Sequence, residues 1–362
     1  MTNIFVHIGP PKTGTSALQF CFKQNAEELM ANGIWYPQHR VDSNLVSSGN
    51  MHCIMSRDPK SSSLRRWRVD ERKAERLLVE LQKTGCEQLL LSSEFFWTEF
   101  TELQRVFPDA KFIAYLRSPI ELLESNYNQG VKRHRTIKKI FVKKDIRFPT
   151  LATFSKLYAD NGKSAFELRP YCDELYVGGR IETDIFSVLG VKCAKLSSAK
   201  INSSYSIEAL EFKRMANYFD LGTLEPELDR ALQGCGMGNM NYSLIRPEKY
   251  AILHRRCLRQ LDTFIDAFEL EDLEPFREHI ASTSQKEFVR QHIDESALKM
   301  ISEYLRLSEP SVYTNLQKLV RANPNTRLPN NGFYNCFDKN PRGHISLLAR
   351  RVKQRLSGRQ SG

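Results

Sequence analysis

The run Ile4-Phe5-Val6-His7-Ile8-Gly9-Pro10-Pro11-Lys12-Thr13-Gly14-Thr15-Ser16 constrains this chain more than any other stretch. An apolar strand leads into a tight turn carrying Gly9 and Gly14, and a helix begins near Thr15. Such a turn aims backbone N–H groups, a helix N-terminus and one lysine at a common point, which suits an anion of the phosphate kind. The pattern departs from the nucleotide-binding P-loop, G-x-x-x-x-G-K-S/T, in which lysine follows the second glycine and a magnesium-binding hydroxyl comes next. Here Lys12 precedes Gly14 by two residues, and Thr15-Ser16 follow the glycine directly.

Hydrophobic periodicity extends this opening into a fold. Strands are expected over 3–8, 87–92 and 111–116, and helices over 15–31, 70–84, 99–107 and 119–132. This β-α-β-α-β order predicts a parallel sheet with right-handed crossovers. The fold class is therefore α/β: a P-loop nucleotide-binding fold with a central parallel sheet flanked by helices, plus a helix-rich C-terminal half. In that half helical patterns recur at 151–160, 181–189, 206–219, 247–268, 295–306 and 310–321, and strands near 165–168 and 174–177 extend the sheet. Residues 38–68 read as irregular, and Gln233-Gly234-Cys235-Gly236-Met237-Gly238-Asn239 as a flexible connection. One domain is expected over 1–322, helix-rich from about 205. From Asn323 the chain turns rich in Asn, Pro and Gly and then basic, so 323–362 reads as a loosely attached segment.

Composition narrows the function. At 362 residues the chain buries a full core, and 41% hydrophobic with 26% charged residues describes a soluble globular protein. A net charge of +11 favours an anionic ligand. The eight cysteines contain no C-x-x-C pair, so their spacing indicates neither a zinc site nor a compact disulfide framework. Reduced thiols in a cytoplasmic protein are the simplest expectation. No apolar stretch approaches the ~20 residues that span a bilayer. No basic n-region precedes an apolar core at the N-terminus, so no signal peptide is expected. Aromatics are too few among the basic runs for nucleic-acid stacking, and no RNA- or DNA-binding module is visible.

A second informative stretch is Tyr115-Leu116-Arg117-Ser118-Pro119-Ile120-Glu121-Leu122-Leu123-Glu124-Ser125-Asn126-Tyr127. Arg117 stands at a strand end, where α/β sheets bind ligands. Pro119 suits the first turn of a helix, and Ser125 follows Arg117 by about two turns. Together they offer a guanidinium fork and a hydroxyl to one anion. These two stretches resemble the sulfotransferase superfamily, whose donor is 3′-phosphoadenosine 5′-phosphosulfate (PAPS). Pro11-Lys12-Thr13-Gly14-Thr15-Ser16 is similar to that family's PKTGTT or PKSGTT loop, with Ser in the last place. Arg117, Ser125 and the following Tyr127 are similar to its second motif. The longer run from His7 to Gln19, Trp35-Tyr36-Pro37 and Ile201-Asn202 look like bacterial sulfotransferases that modify carbohydrates. The likeness is most specific over 4–20 and 111–128 and continues to about residue 220.

The resemblance implies a set of roles. Pro11, Lys12, Thr13, Gly14, Thr15 and Ser16 would hold the 5′-phosphosulfate, Arg117 and Ser125 the 3′-phosphate, and 3′-phosphoadenosine 5′-phosphate (PAP) would be the product. A loop lysine and backbone amides suffice to stabilise the departing phosphate oxygen, so no metal is expected. Glu94, directly after the strand Leu89-Leu90-Leu91, is the candidate base for an acceptor hydroxyl. His52 is the rival base or a substrate contact, and His7 is read as structural. The acceptor implied is a sugar or polysaccharide. Of two basic runs, Arg65-Arg66-Trp67-Arg68 precedes a helix, and Lys132-Arg133-His134-Arg135, with Lys138-Lys139 and Lys143-Lys144, leaves the donor site and offers an entrance for an anionic polysaccharide. The basic amphipathic tail over 345–356 offers a peripheral contact with an anionic membrane. Two other functions are carried forward: an NTP-dependent kinase, which needs a lysine after Gly14 and a strand-end Asp, and a non-catalytic binder of anionic glycans.

Overall fold

The computed structural model describes residues 3–40, 47–58, 67–143, 148–191 and 204–337. The chain divides into two compact units. The first comprises Met1–Leu123, Asp145–Ile201 and Ala251–Ser284; the second comprises Glu124–Lys144, Asn202–Tyr250 and Gln285–Gly362.

The first unit is built on a parallel sheet. Its strands are β1 (Asn3–Ile8), β2 (Ile34–Trp35), β5 (Gln88–Ser93), β6 (Lys111–Leu116) and β7 (Phe166–Pro170), in the order β2-β5-β1-β6-β7. A separate antiparallel pair joins β3 (Met55–Arg57) to β4 (Trp67–Val69). Placing β1 between two neighbours explains its apolar run, since strands covered on both faces lose the alternation of half-exposed ones. On one face Ile113 and Tyr115 pack with Leu18, Phe22, Ile185 and Phe186. On the other, Phe112 and Phe166 meet Phe100 at ring-centroid distances of 4.5 and 5.1 Å. This is the expected α/β fold, with β1 at the centre of the sheet and its following loop at the C-terminal edge.

Three local expectations change. The helix expected over 15–31 breaks into Thr15–Gln24 and Ala26–Ala31. Buried Asn25 causes the break: its side-chain amide donates to the Cys21 carbonyl at 2.7 Å, competing with the helical ladder. No strand forms at 174–177. Gly178 and Gly179 adopt φ of 73° and 74°, and the Val177 N–H is taken by Asp184 at 3.0 Å. Finally, residues 233–239 are tethered rather than flexible, because Asn239 donates to Glu208 at 2.9 Å and accepts from the Ile207 N–H at 3.0 Å.

The second unit is helical. Ile207–Ala216 is buried on all sides, so its charges are paired inside: Arg214 with Glu211 at 2.6 Å and Lys213 with Glu225 at 3.4 Å. Around it pack Leu224–Gly234, Glu295–Ser308 and Pro310–Ala322 through Leu228, Leu232, Ile301, Leu305 and Leu316. Phe333 and Phe337 belong to the same core, so the packed chain continues past Asn323 to at least residue 337. The amphipathic tail expected over 345–356 lies outside the described residues, as do Arg65-Arg66, Lys144 and Ile201-Asn202. Among the described residues no helix is long and apolar enough to cross a membrane.

Candidate active site

The loop after β1 has the geometry of an anion seat. Pro10 and Pro11 fix φ and end the strand, and the Thr13 hydroxyl donates to the Pro10 carbonyl at 2.7 Å. Lys12 takes φ 68° and Gly14 φ 75°, both left-handed. For lysine that conformation costs roughly 1–2 kcal/mol, and a non-glycine residue held there is a mark of a functional loop. Gly14 opens the helix Thr15–Gln24 without a side-chain cap, and the first turn carries no acidic residue. The positive end of the helix thus faces the loop without a side-chain acceptor closing it. The Thr15 hydroxyl is buried there and has no hydrogen-bond partner among the described residues. Gly9 is needed because a Cβ would fall on the Thr15 side chain.

Neighbouring strand ends brace the loop. Arg117, just beyond β6, donates to the Lys12 carbonyl at 3.0 Å and to Glu121 at 3.2 Å. Its guanidinium lies 5.1 Å from the Tyr171 ring centre. Arg117 therefore does more than the sequence suggested: it holds the strained peptide of the loop. Tyr171 and Ile181 close the other side, within 3.0 and 2.9 Å of where a Gly14 Cβ would stand. A buried carboxylate positions both. Asp184 accepts from Tyr115 at 2.8 Å and from Arg169 at 2.7 Å, which ties the helix Ile181–Val188 to the sheet. Sequence reasoning passed over Asp184; its one signal was an acidic residue within the apolar helix face Ile185-Phe186.

Glu94 follows β5 directly and is exposed. In register Ile8 lies opposite Ser93, and the Gly9 N–H donates to the Ser93 carbonyl at 3.3 Å. Glu94 and the Lys12 loop thus leave adjacent strand ends. Ser93 caps the turn Glu94–Trp97 by accepting from the Phe95 N–H at 3.1 Å. His7, in β1, meets the Ser92 hydroxyl at 2.8 Å and is fully buried. Burial lowers its pKa to about 3, so it is a neutral structural side chain.

Asn50, two residues before His52, has a structural role that the sequence does not show. Its backbone N–H donates to the Ser92 carbonyl at 3.2 Å, its side-chain oxygen accepts from the Ser92 N–H at 2.8 Å, and its side-chain nitrogen donates to the Leu90 carbonyl at 3.1 Å. It acts as a surrogate strand residue on the free side of the β5 end. Gly49, at φ 67°, permits this, since a Cβ would collide with the Ser92 carbonyl. The strap brings His52, in the turn Met51–Cys53, to the same sheet edge. His52 is exposed, with its ring edge-on to Trp67 at 4.8 Å and its carbonyl accepting from Lys73 at 3.1 Å.

Ser125 lies on the helix Pro119–Arg133, within the part of the chain assigned to the second unit, and its role rests on the sequence alone. In that unit Lys132 lies 4.2 Å from the Tyr205 ring centre, Arg133 pairs with Asp229 at 3.6 Å and Arg135 with Asp220 at 2.9 Å. Much of the basic run expected to line an entrance is thus engaged in contacts within the protein.

No family model matches the chain, and no curated protein matches it. Among solved structures it is similar to the crystal structure of a sulfotransferase from Alicyclobacillus acidocaldarius, at 12% identity and a TM-score of 0.38, over 73% of this chain and 95% of that one. Superposition this loose assigns nothing by itself, and the functional reading stands on the residues of the site.

Proposed function

We propose that the protein is a sulfotransferase that moves a sulfuryl group from PAPS to a hydroxyl of a sugar or polysaccharide. One observation carries the reading: an uncapped helix N-terminus, a left-handed Lys12–Gly14 loop and an orphaned Thr15 hydroxyl converge where a phosphate oxygen needs donors. The residues of the first unit fit the 5′-phosphosulfate of the donor, with Lys12, Thr13, Gly14, Thr15 and Ser16 around it and Arg117 assigned to the 3′-phosphate; the same assignment for Ser125 rests on the sequence motif alone. When bound, the donor supplies an activated sulfuryl group and a phosphate leaving group.

The chain's own residues do the rest. The Lys12 ammonium and the loop amides offset the charge that gathers on the phosphate oxygen as its bond to sulfur breaks. Glu94 takes the proton of the acceptor hydroxyl as the new oxygen–sulfur bond forms. Arg117 keeps the Lys12 peptide in place. Asn50 and Gly49 set the β5 end from which Glu94 projects, and His52 is assigned to the acceptor side. The position of the lysine speaks against a magnesium-dependent kinase, because Lys12 precedes Gly14 and no lysine follows that glycine as the Walker pattern requires.

Calorimetric titration with PAP in metal-free buffer tests this. Wild-type protein should bind PAP, and Lys12→Ala should bind it at least about tenfold more weakly, the loss of one charged hydrogen bond. Absence of PAP binding by the wild type, or tight binding of Mg-ATP alone, overturns the proposal.

A further inference from the structure

We infer that Cys172, Glu174 and His279 form a binding site for a divalent cation of the zinc class, directly behind the tyrosine that closes the candidate donor loop. The ligand atoms of these three side chains all lie within 4.8 Å of one another. They come from separate elements of the first unit: Cys172 two residues past β7, Glu174 from the turn Asp173–Leu175, and His279 from the last turn of the helix Glu274–Ser282. The Leu175 N–H donates to the Cys172 carbonyl at 3.1 Å, which closes the turn and points both side chains the same way. The Cys172 thiol already donates to Glu174 at 3.0 Å.

The donor set selects the metal. Sulfur, imidazole nitrogen and one carboxylate suit zinc, whereas magnesium and calcium take oxygen ligands. Bonds of about 2.3 Å to sulfur and about 2.0–2.2 Å to nitrogen and oxygen require ligand atoms roughly 3.3–3.8 Å apart in a tetrahedron. The Cys172–Glu174 contact at 3.0 Å is already close to that spacing, and the remaining separations, all within 4.8 Å, need side-chain rotation to close. A helix C-terminus at His279 favours a cation. Three protein ligands leave the fourth position to water. Binding replaces the thiol proton, so each ion bound releases one proton to solvent. Cysteine spacing gave no hint of this, because the histidine arrives from a distant helix.

The position gives the ion a consequence. Tyr171 immediately precedes Cys172, packs against Gly14 and lies under Arg117. A metal at Cys172 anchors that segment against the loop, whatever anion the loop binds.

The test uses the full chain, stripped with a chelator and titrated with Co²⁺ and then Zn²⁺. One Co²⁺ per chain should give a thiolate-to-cobalt charge-transfer band that Zn²⁺ bleaches. Cys172→Ser should abolish the band, and His279→Gln should weaken zinc binding at least about tenfold. Cys86→Ser should leave both unchanged. His279→Gln alters a half-buried helix position, so it keeps the test available if Cys172→Ser does not fold. A wild type without the band, or a band that survives either ligand substitution with full affinity, overturns the inference.

Discussion

His7 tests how the ends of the central strands are held. Its imidazole is fully buried, and burial lowers its pKa from 6.5 to about 3. The folded state keeps it neutral, whereas the unfolded chain takes up a proton as the pH falls below 6.5. The contribution is therefore intact above pH 6.5 and lost progressively as pH falls from 6.5 toward 3. Each unit of pH in that window is worth about 1.4 kcal/mol. Lowering the pH from 7 to 5 should thus remove about 2 kcal/mol of stability, roughly a thirtyfold change in the folding equilibrium. The three tryptophans, Trp35, Trp67 and Trp97, all lie in the first unit, so their fluorescence reports the unit that carries His7. Urea unfolding of wild type and His7→Asn at the two pH values isolates the effect, because the carboxylates contribute equally to both proteins. Asparagine offers a polar atom toward Ser92 from the Nδ1 side but does not titrate. The wild type should lose about 2 kcal/mol more than the variant between the two conditions. Equal losses in the two proteins would refute a neutral, buried imidazole.

Other substitutions probe the supports of the site. Gly49→Ala should destabilise the first unit by about 2–5 kcal/mol, from the left-handed backbone and the collision with the Ser92 carbonyl together; an unchanged urea midpoint would contradict the strap. Asp184→Ala should cost about 3–5 kcal/mol by stranding Arg169 and the Tyr115 hydroxyl, read in the same tryptophan melt. Phe333→Ala should cost about 3–5 kcal/mol and speed amide exchange in the helix Ile207–Ala216, against which its ring packs through Phe212 at 5.0 Å. Exchange rates like the wild type's would show that the chain past Asn323 is not part of the core.

What the sequence made legible was local. The loop over 9–16 announced itself because Pro, Gly and Lys act on the backbone nearest to them, and Glu94 followed from the apolar run before it. The parallel direction of the sheet followed from the alternation of strands and helices. What stayed hidden depends on contacts between distant residues. Asn50 lies in a stretch without periodicity, and its partners Leu90 and Ser92 are far along the chain. Asp184 reads as one acidic residue on a helix until Arg169 and Tyr115 are seen to converge on it. Asn25 interrupts a helix whose apolar period runs straight through it. Arg117 was visible as a cation at a strand end, but its bond to the Lys12 carbonyl was not.

The central claim is that the Lys12 loop binds a phosphosulfate and that Glu94 serves the acceptor. Transfer of labelled sulfate from PAPS to a panel of uncharged, uronic-acid and sulfated glycans, without added metal, tests it most directly. Wild-type protein should label at least one glycan. Lys12→Ala should lower that rate by about a hundred- to a thousandfold, the usual effect of removing one transition-state donor. Glu94→Gln should lower the rate while leaving PAP affinity near wild type. Undiminished transfer by Lys12→Ala would contradict the account.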